Sequence, residues 1–235
     1  MGKKCTKNKR KLSARQRFLK SLSKPDFKWT IHLFTEGETE YRYISDIAIP
    51  KCVKIVRETK PVSSPHVLMQ LARDWAYAHR DLQDSEEGRR HLIWVLFDDD
   101  EKTAEIARTA KELKNLPTGV SAKLYDRKKV PEIFVGYMKP CIELWGALGV
   151  RGSASGLPRT HRAMESCLAK IMTGYSHKDD RRYFDVKQMS QTHKACQLAA
   201  QWESTYGAFP KCINAAYFAG IHGLVSLIYG CKNKS

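Results

Sequence analysis

The sequence lacks several patterns that would define its class at once. Its seven cysteines include no C-x-x-C pair, so their spacing predicts neither a disulfide framework nor a zinc ribbon. The amino terminus is basic and polar, where a secretory signal would need an apolar run. A P-loop, a dinucleotide-binding glycine motif and a Ser-His-Asp spacing are also missing. We therefore expect a protein of the reducing cytoplasm that does not hydrolyse ATP.

Long apolar runs are also scarce. The one segment that raises the question of a membrane is residues 213–230, which contains Asn214, His222 and three glycines. A transmembrane helix needs about 20 predominantly apolar residues, so these interruptions favour a helix packed in a protein core. With 235 residues, 42% of them hydrophobic, the chain can bury such a core. We expect no membrane insertion.

Positive charge is abundant and unevenly distributed. Of the formal net charge of +16, residues 1–28 carry +10, because eleven lysines and arginines in this segment oppose one acid, Asp26. A basic arm suits a polyanion-binding protein, since each neutralised phosphate releases counterions. We therefore predict that the arm binds nucleic acid, and the alternative is a solubilising or weakly ordered tail. The side chains with this predicted role include Lys9, Arg10, Lys11, Arg15 and Arg17.

Strand patterns alternate with helical patterns along the first half of the chain. Strands are predicted at 29–35, 51–58, 91–97 and 120–126, and helices at about 36–48, 64–82 and 102–116. This alternation predicts an α/β fold with a mainly parallel sheet flanked by helices. Beyond residue 130 the patterns are helical. We therefore divide the chain into a basic arm over 1–28, an α/β core over 29–130 and a helical extension over 131–235 that packs on the core.

Two acidic clusters follow predicted strands. The stretch EGETE, residues 36–40, comes after the first strand, and DDDE, residues 98–101, ends the third. The carboxyl ends of parallel strands meet at one rim of a sheet, so both clusters are expected at that rim. Adjacent carboxylates repel each other, and removing them from water costs more still unless an opposite charge compensates. A divalent cation is the obvious compensation.

These acids resemble a known arrangement. Glu36 after the first strand, with Asp98 and Asp100 after the third, is similar to the Toprim site of topoisomerases, primases and related nucleases. Together, EGETE, LFDDDE and KPCIELW resemble the RloB family, prokaryotic proteins found beside restriction and anti-phage loci, over roughly residues 30–148. The chain departs from the family pattern at Lys139, where Asn is usual, and lacks the histidine that often follows the E-L-W segment. The resemblance implies a Toprim-like fold.

The resemblance also implies a Mg²⁺ or Mn²⁺ site on the rim. Both ions prefer oxygen ligands, and Mg²⁺ is typically held by one or two carboxylates plus substrate phosphate. We assign Asp98 and Asp100 as metal ligands, and Glu36 as either a ligand or the general base. Alternate residues at a strand end point the same way, so Asp99 is expected to point away from them into solvent.

Several further residues have two interpretations. Glu143 is either an additional catalytic acid or an exposed helix residue, and the family pattern favours the site. Glu40 lies either on a helix surface or in support of the site, whereas Glu38 is predicted to stabilise a helix N-terminus through the macrodipole. Lys102 and Lys139 are predicted to contact nucleic-acid phosphate, with an ordinary surface position as the alternative.

Two functions agree with these observations. The first is a Toprim-type metal-dependent endonuclease that hydrolyses phosphodiester bonds in RNA, with tRNA among the candidates, or in DNA. The resemblance implies a role in phage defence, where an unrestrained nuclease is toxic and a partner defence protein is a candidate regulator. The second is a non-catalytic nucleic-acid-binding or scaffold protein of a defence complex, in which the acids bind a structural cation. The oligomeric state is left open.

Removal of the basic arm tests its predicted role. If the arm tracks a phosphate backbone, the truncated protein should bind all sequences more weakly, and its affinity should depend less steeply on salt. Each lost phosphate contact should reduce the log–log slope by roughly 0.7 on single strands and 0.9 on B-form duplex. Equilibrium binding at several salt concentrations measures both quantities. An unchanged affinity and slope would instead indicate a passive tail or a protein-binding segment.

Overall fold

A five-stranded sheet lies at the centre of the fold. The structure, a computed structural model, describes residues 28–47, 49–60, 64–79, 82, 89–100, 103–114, 132–176 and 184–232. Its strands are β1 (Lys28–Thr35), β2 (Val53–Arg57), β3 (Arg89–Asp98), β4 (Glu132–Lys139) and β5 (Phe218–Ala219). The strand order is β2-β1-β3-β4-β5, with the first four strands parallel and β5 antiparallel to β4. The predicted α/β class with a mainly parallel sheet is confirmed.

Helices cover both faces of this sheet. In chain order they are α1 (Glu38–Asp46), α2 (Pro65–Ala78), α3 (Thr103–Lys114), α4 (Glu143–Arg151), α5 (His161–Ile171), α6 (Thr192–Tyr206) and α7 (His222–Lys232). Two short 3-10 helices, Val186–Gln188 and Lys211–Asn214, precede α6 and β5. The first three helices begin close to the positions that their apolar periodicity predicted.

Strand β3 is buried on both faces, as its apolar sequence predicted. Leu92, Trp94 and Leu96 pack into one core with α1 and α4, and the residues that alternate with them pack into a second core with α2 and α3. A strand covered by helices on both sides needs apolar residues at every position. Asp98, which directly follows the fully buried Phe97, is therefore itself buried at the end of the strand.

The chain after residue 130 differs in part from its prediction. Helices were expected there, but Glu132–Lys139 forms β4, which pairs in parallel with β3. A short continuous apolar run such as EIFVGYMK does not distinguish a buried strand from a buried helix. The sheet thus continues across the predicted boundary, and the helix predicted from Lys139 begins at Glu143. The strand predicted at 120–126 lies outside the described residues.

The long apolar segment near the carboxyl end is part of the core. It contributes β5 and α7, so it is interrupted and is not a single helix. Leu224, Val225 and Ile228 of α7 are fully buried among residues of the sheet and α4. Within the described part of the chain, no helix combines the length and the apolar character needed to cross a membrane.

Strand β1 carries a buried histidine in a hydrogen-bonded chain. His32 Nδ1 lies 2.6 Å from Glu58 Oε1, and its Nε2 lies 2.9 Å from His91 Nδ1. A neutral His32 that donates to Glu58 accepts at Nε2 from His91. The His32 ring also packs against the ring of Trp75, with centroids 4.1 Å apart. Burial lowers the pKa of His32 below its usual value, although Glu58 acts in the opposite direction.

Acid should destabilise the fold through His32. Because its pKa is lowered from 6.5, the unfolded state binds this proton first as the pH falls, so the free energy of unfolding decreases below about pH 6.5. The contribution of one such group is at most about 1.4 kcal/mol per pH unit. Chemical denaturation between about pH 7.5 and 5 measures it. His32→Gln should show a shallower decrease than wild type, whereas His193→Gln, at an exposed histidine of α6, should match wild type. Three equal slopes would contradict this prediction.

Candidate metal centre

The ends of β1 and β3 bring the first two predicted acids together. The two strands are parallel neighbours, and Thr35 pairs with Leu96 in their register. The Glu36 N–H donates to the Leu96 carbonyl at 3.0 Å, and the Asp98 N–H donates to Glu36 Oε2 at 3.1 Å. Glu36, which follows β1, therefore lies directly against the end of β3.

Asp98 is held at this junction by the segment that precedes α4. Its side chain is buried, with 7% of the residue surface exposed. The Ile142 N–H donates to Asp98 Oδ2 at 3.0 Å, whereas Asp98 Oδ1 is buried without a hydrogen-bond partner among the described residues. Burial raises the pKa of Asp98 well above its usual range, and the nearby charges of Glu40, Asp100 and Glu143 raise it further.

Asp100 reaches the cluster through a turn. Strand β3 ends at Asp98, and Asp100 has a φ of +41°, in the left-handed region that Asp tolerates better than most residues. Its Oδ1 lies 2.9 Å from Nδ1 of His161, the first residue of α5. Strand alternation is therefore not the reason that these two acids are close.

Asp99 is partly exposed and also contacts strand β4. The Tyr137 hydroxyl of β4 donates to Asp99 Oδ1 at 2.5 Å, and Asp99 is only half-exposed. The side chain keeps part of the predicted exposure, but its hydrogen bond with Tyr137 was not expected, because β4 was not predicted at this rim. Asp99 is thus tied to β4 rather than to the other acids.

Glu40 contributes a carboxylate from the first turn of α1. It is only 3% exposed, and its Oε2 is buried without a hydrogen-bond partner in the described part of the chain. Burial raises the pKa of Glu40 to about 8, with further contributions from the charges of Glu143 and Glu36. A Cβ at Gly37 would lie 2.6 Å from this oxygen, so glycine leaves the space that the carboxylate occupies.

Glu143 contributes a carboxylate from the first residue of α4. It is 4% exposed, which excludes the alternative of an exposed helix residue. The Tyr175 hydroxyl donates to Glu143 Oε1 at 2.5 Å, and Oε2 is buried with no hydrogen-bond partner among the described residues. The other predicted helix acid, Glu38, forms ion pairs with Arg42 and Arg57, as befits an accessible first-turn residue.

His161 is a basic group that sequence reasoning missed. Its ring joins two acids, with Nδ1 2.9 Å from Asp100 and Nε2 3.0 Å from Glu165. The hydrogen bond to Asp100 raises the pKa of His161 to about 9. The spacing of His161 and Glu165, four residues apart on a helix, was visible in the sequence, but nothing in it placed α5 beside the rim.

The predicted nucleic-acid contacts are mostly beyond the described residues. These include Lys9, Arg10, Lys11, Arg15, Arg17 and Lys102. Lys139 is described, and its ammonium donates to the Ile213 carbonyl at 2.6 Å, which gives it a structural contact that was not predicted. A role in nucleic-acid binding stays a prediction for all seven.

The three buried carboxylates with unpaired oxygens fit a hard divalent cation. Buried polar atoms without hydrogen-bond partners are rare, because each has lost its hydrogen bonds to water without replacement, and this costs free energy. Here Glu40, Asp98 and Glu143 each have one such oxygen. Oxygen-rich carboxylate sets suit Mg²⁺ or Mn²⁺, and the positive charge of a bound cation would also oppose the rise in the pKa of Glu40 and Asp98.

Comparison with known proteins gives a family match. A family model described as an RloB-like protein matches residues 31–228, which includes all of the acids at this rim. No curated protein and no solved structure shows a significant match to the chain.

Glu40→Gln should stabilise the metal-free protein at alkaline pH. Between the usual pKa of 4.5 and the native value of about 8, the native state binds a proton that the unfolded state does not, so the free energy of unfolding decreases as pH rises. Gln cannot ionise, so this decrease should be absent from the variant. Its free energy of unfolding should exceed that of wild type by on the order of a few kcal/mol near pH 8 and differ little at acidic pH. Chemical denaturation in EDTA measures it. Glu38→Gln, whose carboxylate pairs with Arg57 at 2.8 Å, is the control and should bring no gain. An equal response of both variants would show that Glu40 ionises normally.

Proposed function

The chain belongs to the RloB-like family, and from this membership and its acidic rim we propose that it is a metal-dependent nuclease. It would hydrolyse phosphodiester bonds in RNA, with tRNA among the candidates, or in DNA. The observation that carries the proposal is the set of three buried carboxylates, each with one unpaired oxygen among the described residues, at the end of β3 and in the first turns of α1 and α4. Such an arrangement is unfavourable for stability alone, so a function is the better explanation.

Glu36, Asp98 and Asp100 would hold Mg²⁺ or Mn²⁺ in this proposal. Bound there, such a cation would offset the repulsion among the acids and polarise a substrate phosphate. The two ions are the ones that carboxylate oxygens favour, and they leave positions for phosphate oxygens. Glu40 lies close enough to raise the pKa of Asp98, so it belongs to the same electrostatic unit.

The protein orients these acids before substrate arrives. Backbone N–H groups fix the carboxylates of Glu36 and Asp98, and the Tyr175 hydroxyl fixes that of Glu143. Carboxylates that hydrogen bonds already hold in place need little rearrangement during the reaction, so little free energy is spent on reorganisation. Two roles fit Glu36, which either completes the ligand set or accepts a proton from the attacking water. Glu143, buried beside Asp98, is proposed as the additional catalytic acid.

The remaining parts of the proposal rest on charge and on the family. The basic arm, with Lys102 and Lys139, would bind the nucleic-acid backbone through counterion release. A role in phage defence, with a partner defence protein as the candidate regulator, is what the resemblance to the RloB family implies, and the cytoplasmic location is proposed from the cysteine pattern. The residues of this chain support the proposed metal-dependent cleavage, and the family resemblance supports the proposed role in phage defence.

Cleavage assays test this function directly. Labelled single-stranded and duplex RNA and DNA, and tRNA, are incubated with the purified protein in Mg²⁺, Mn²⁺ or EDTA. Asp98→Asn and Glu36→Gln should reduce metal-dependent cleavage by about 100-fold or more, because catalysis depends on the placement of these groups. Thermal stability should be unchanged or raised, since a repelling charge is removed.

Asp99→Asn is the matched control for this assay. Asn keeps an oxygen that can accept from the Tyr137 hydroxyl, so the rim should stay folded and most of the activity should remain. Full activity in Asp98→Asn, or equal activity in EDTA, would overturn the nuclease mechanism. Nucleic-acid binding without any cleavage would instead support a scaffold with a structural cation.

A further inference from the structure

A second set of possible metal ligands lies beside the carboxylates. Cys141, Glu143 and His161 each offer one ligand atom, and these atoms all lie within 4.8 Å of one another. The three residues come from separate places in the fold: the segment after β4, the first residue of α4 and the first residue of α5. The proposed nuclease chemistry gives no role to the cysteine or the histidine, although Cys141 is part of the KPCIELW segment that carries the family resemblance.

Two of the three residues in this set are buried in the protein core. Cys141 is fully buried and Glu143 is 4% exposed, whereas a third of the His161 side chain is accessible. Glu143 Oε2 is buried without a hydrogen-bond partner among the described residues, which is an observation independent of the cluster itself. A small ion could therefore enter past the imidazole and find a carboxylate oxygen that no protein group satisfies.

We propose that Cys141, Glu143 and His161 form a binding site for a Zn²⁺-class transition-metal ion, separate in ligand type from the Mg²⁺ or Mn²⁺ site. Sulfur and imidazole nitrogen suit Zn²⁺ and its neighbours, whereas Mg²⁺ prefers oxygen alone. In tetrahedral zinc sites the ligand atoms are about 3.3–3.8 Å apart, so a contraction of about 1 Å suffices here. Three protein ligands leave a fourth position open, as in catalytic rather than structural zinc sites.

The residues that contact this set are of the types that orient the ligands in known metal sites. The Tyr175 hydroxyl already donates to Glu143 Oε1, so it would fix the orientation of that ligand. Each ring nitrogen of His161 has a carboxylate neighbour, Asp100 on one side and Glu165 on the other. When one nitrogen binds metal, the other can keep its carboxylate, which is the usual outer partner of a metal-bound imidazole.

A role for Cys141 as a free nucleophile fits less well. Burial raises the pKa of its thiol, and the charges of Glu143 and Asp98 raise it further, so the metal-free thiol keeps its proton. Reactive cysteines are accessible and lie in electropositive surroundings, whereas Cys141 is fully buried among acids. Metal coordination would deprotonate this thiol and also remove one proton from the His161 imidazolium, with both protons released to solvent and no oxidant required.

Cobalt substitution tests the proposal without any assay of cleavage. The full-length protein is stripped with a chelator, desalted and titrated with Co²⁺, and a sulfur-to-cobalt charge-transfer band in the near ultraviolet reports thiolate binding. The band should appear in wild type and be lost in Cys141→Ser. Cys167→Ser, at a half-buried cysteine of the neighbouring α5, is the matched control and should keep it. Zn²⁺ should remove the band, and excess Mg²⁺ should not.

Two further variants separate this site from the proposed nuclease. Tyr175→Phe should keep the band but weaken Co²⁺ affinity by about 10- to 100-fold, as expected for loss of an outer partner. Asp98→Asn should keep the band even where cleavage is lost, so failure of one proposal does not imply failure of the other. If Cys141→Ser does not fold, His161→Gln replaces it and should weaken Co²⁺ binding by at least tenfold. No band in folded wild type, or a band of full intensity in folded Cys141→Ser, would overturn the inference.

Discussion

The parallel pairing of β1 with β3 is the constraint on which the candidate site depends. It places residues that are 62 positions apart in the chain within one hydrogen bond of each other, as the contact from Asp98 to Glu36 shows. The start of α4 then completes the junction, because the Ile142 N–H reaches the Asp98 carboxylate. Backbone N–H donors therefore lie next to carboxylates that would otherwise repel each other. The pairing of the strands keeps Glu36 and Asp98 adjacent.

The stabilisation from the two apolar cores offsets the unfavourable electrostatics of the buried carboxylates. Strand β3 is covered by helices on both faces, and the three tryptophans Trp29, Trp94 and Trp145 are almost fully buried. Such packing contributes far more stabilisation than any surface contact, so the fold can tolerate the buried carboxylates of Glu40 and Asp98, whose pKa values are raised, at its rim. The unfavourable electrostatics is concentrated where a ligand would relieve it, which is the usual pattern of functional sites.

Much of the architecture could be predicted because it follows from local patterns. The alternation of strands and helices gave the α/β class, and the position of acids after two strands gave their shared rim. Strand β4 was missed because its apolar run has no period, and the contact of its Tyr137 with Asp99 was missed as a consequence. The approach of His161 to Asp100 depends on how α5 packs against the rim. This is a tertiary contact, and a single sequence carries no signal of it.

The short strand β5 has a consequence for the order in which the protein can be completed during translation. Its two residues, Phe218 and Ala219, protect the outer edge of β4, yet they are synthesised about 80 residues after that strand. Until they leave the ribosome, β4 has unpaired backbone groups along an apolar edge, which is a template for pairing with another chain. A nascent chain that has not reached Phe218 and Ala219 therefore has an additional unpaired strand edge at the end of β4, besides the one at β2, the opposite end of the described sheet.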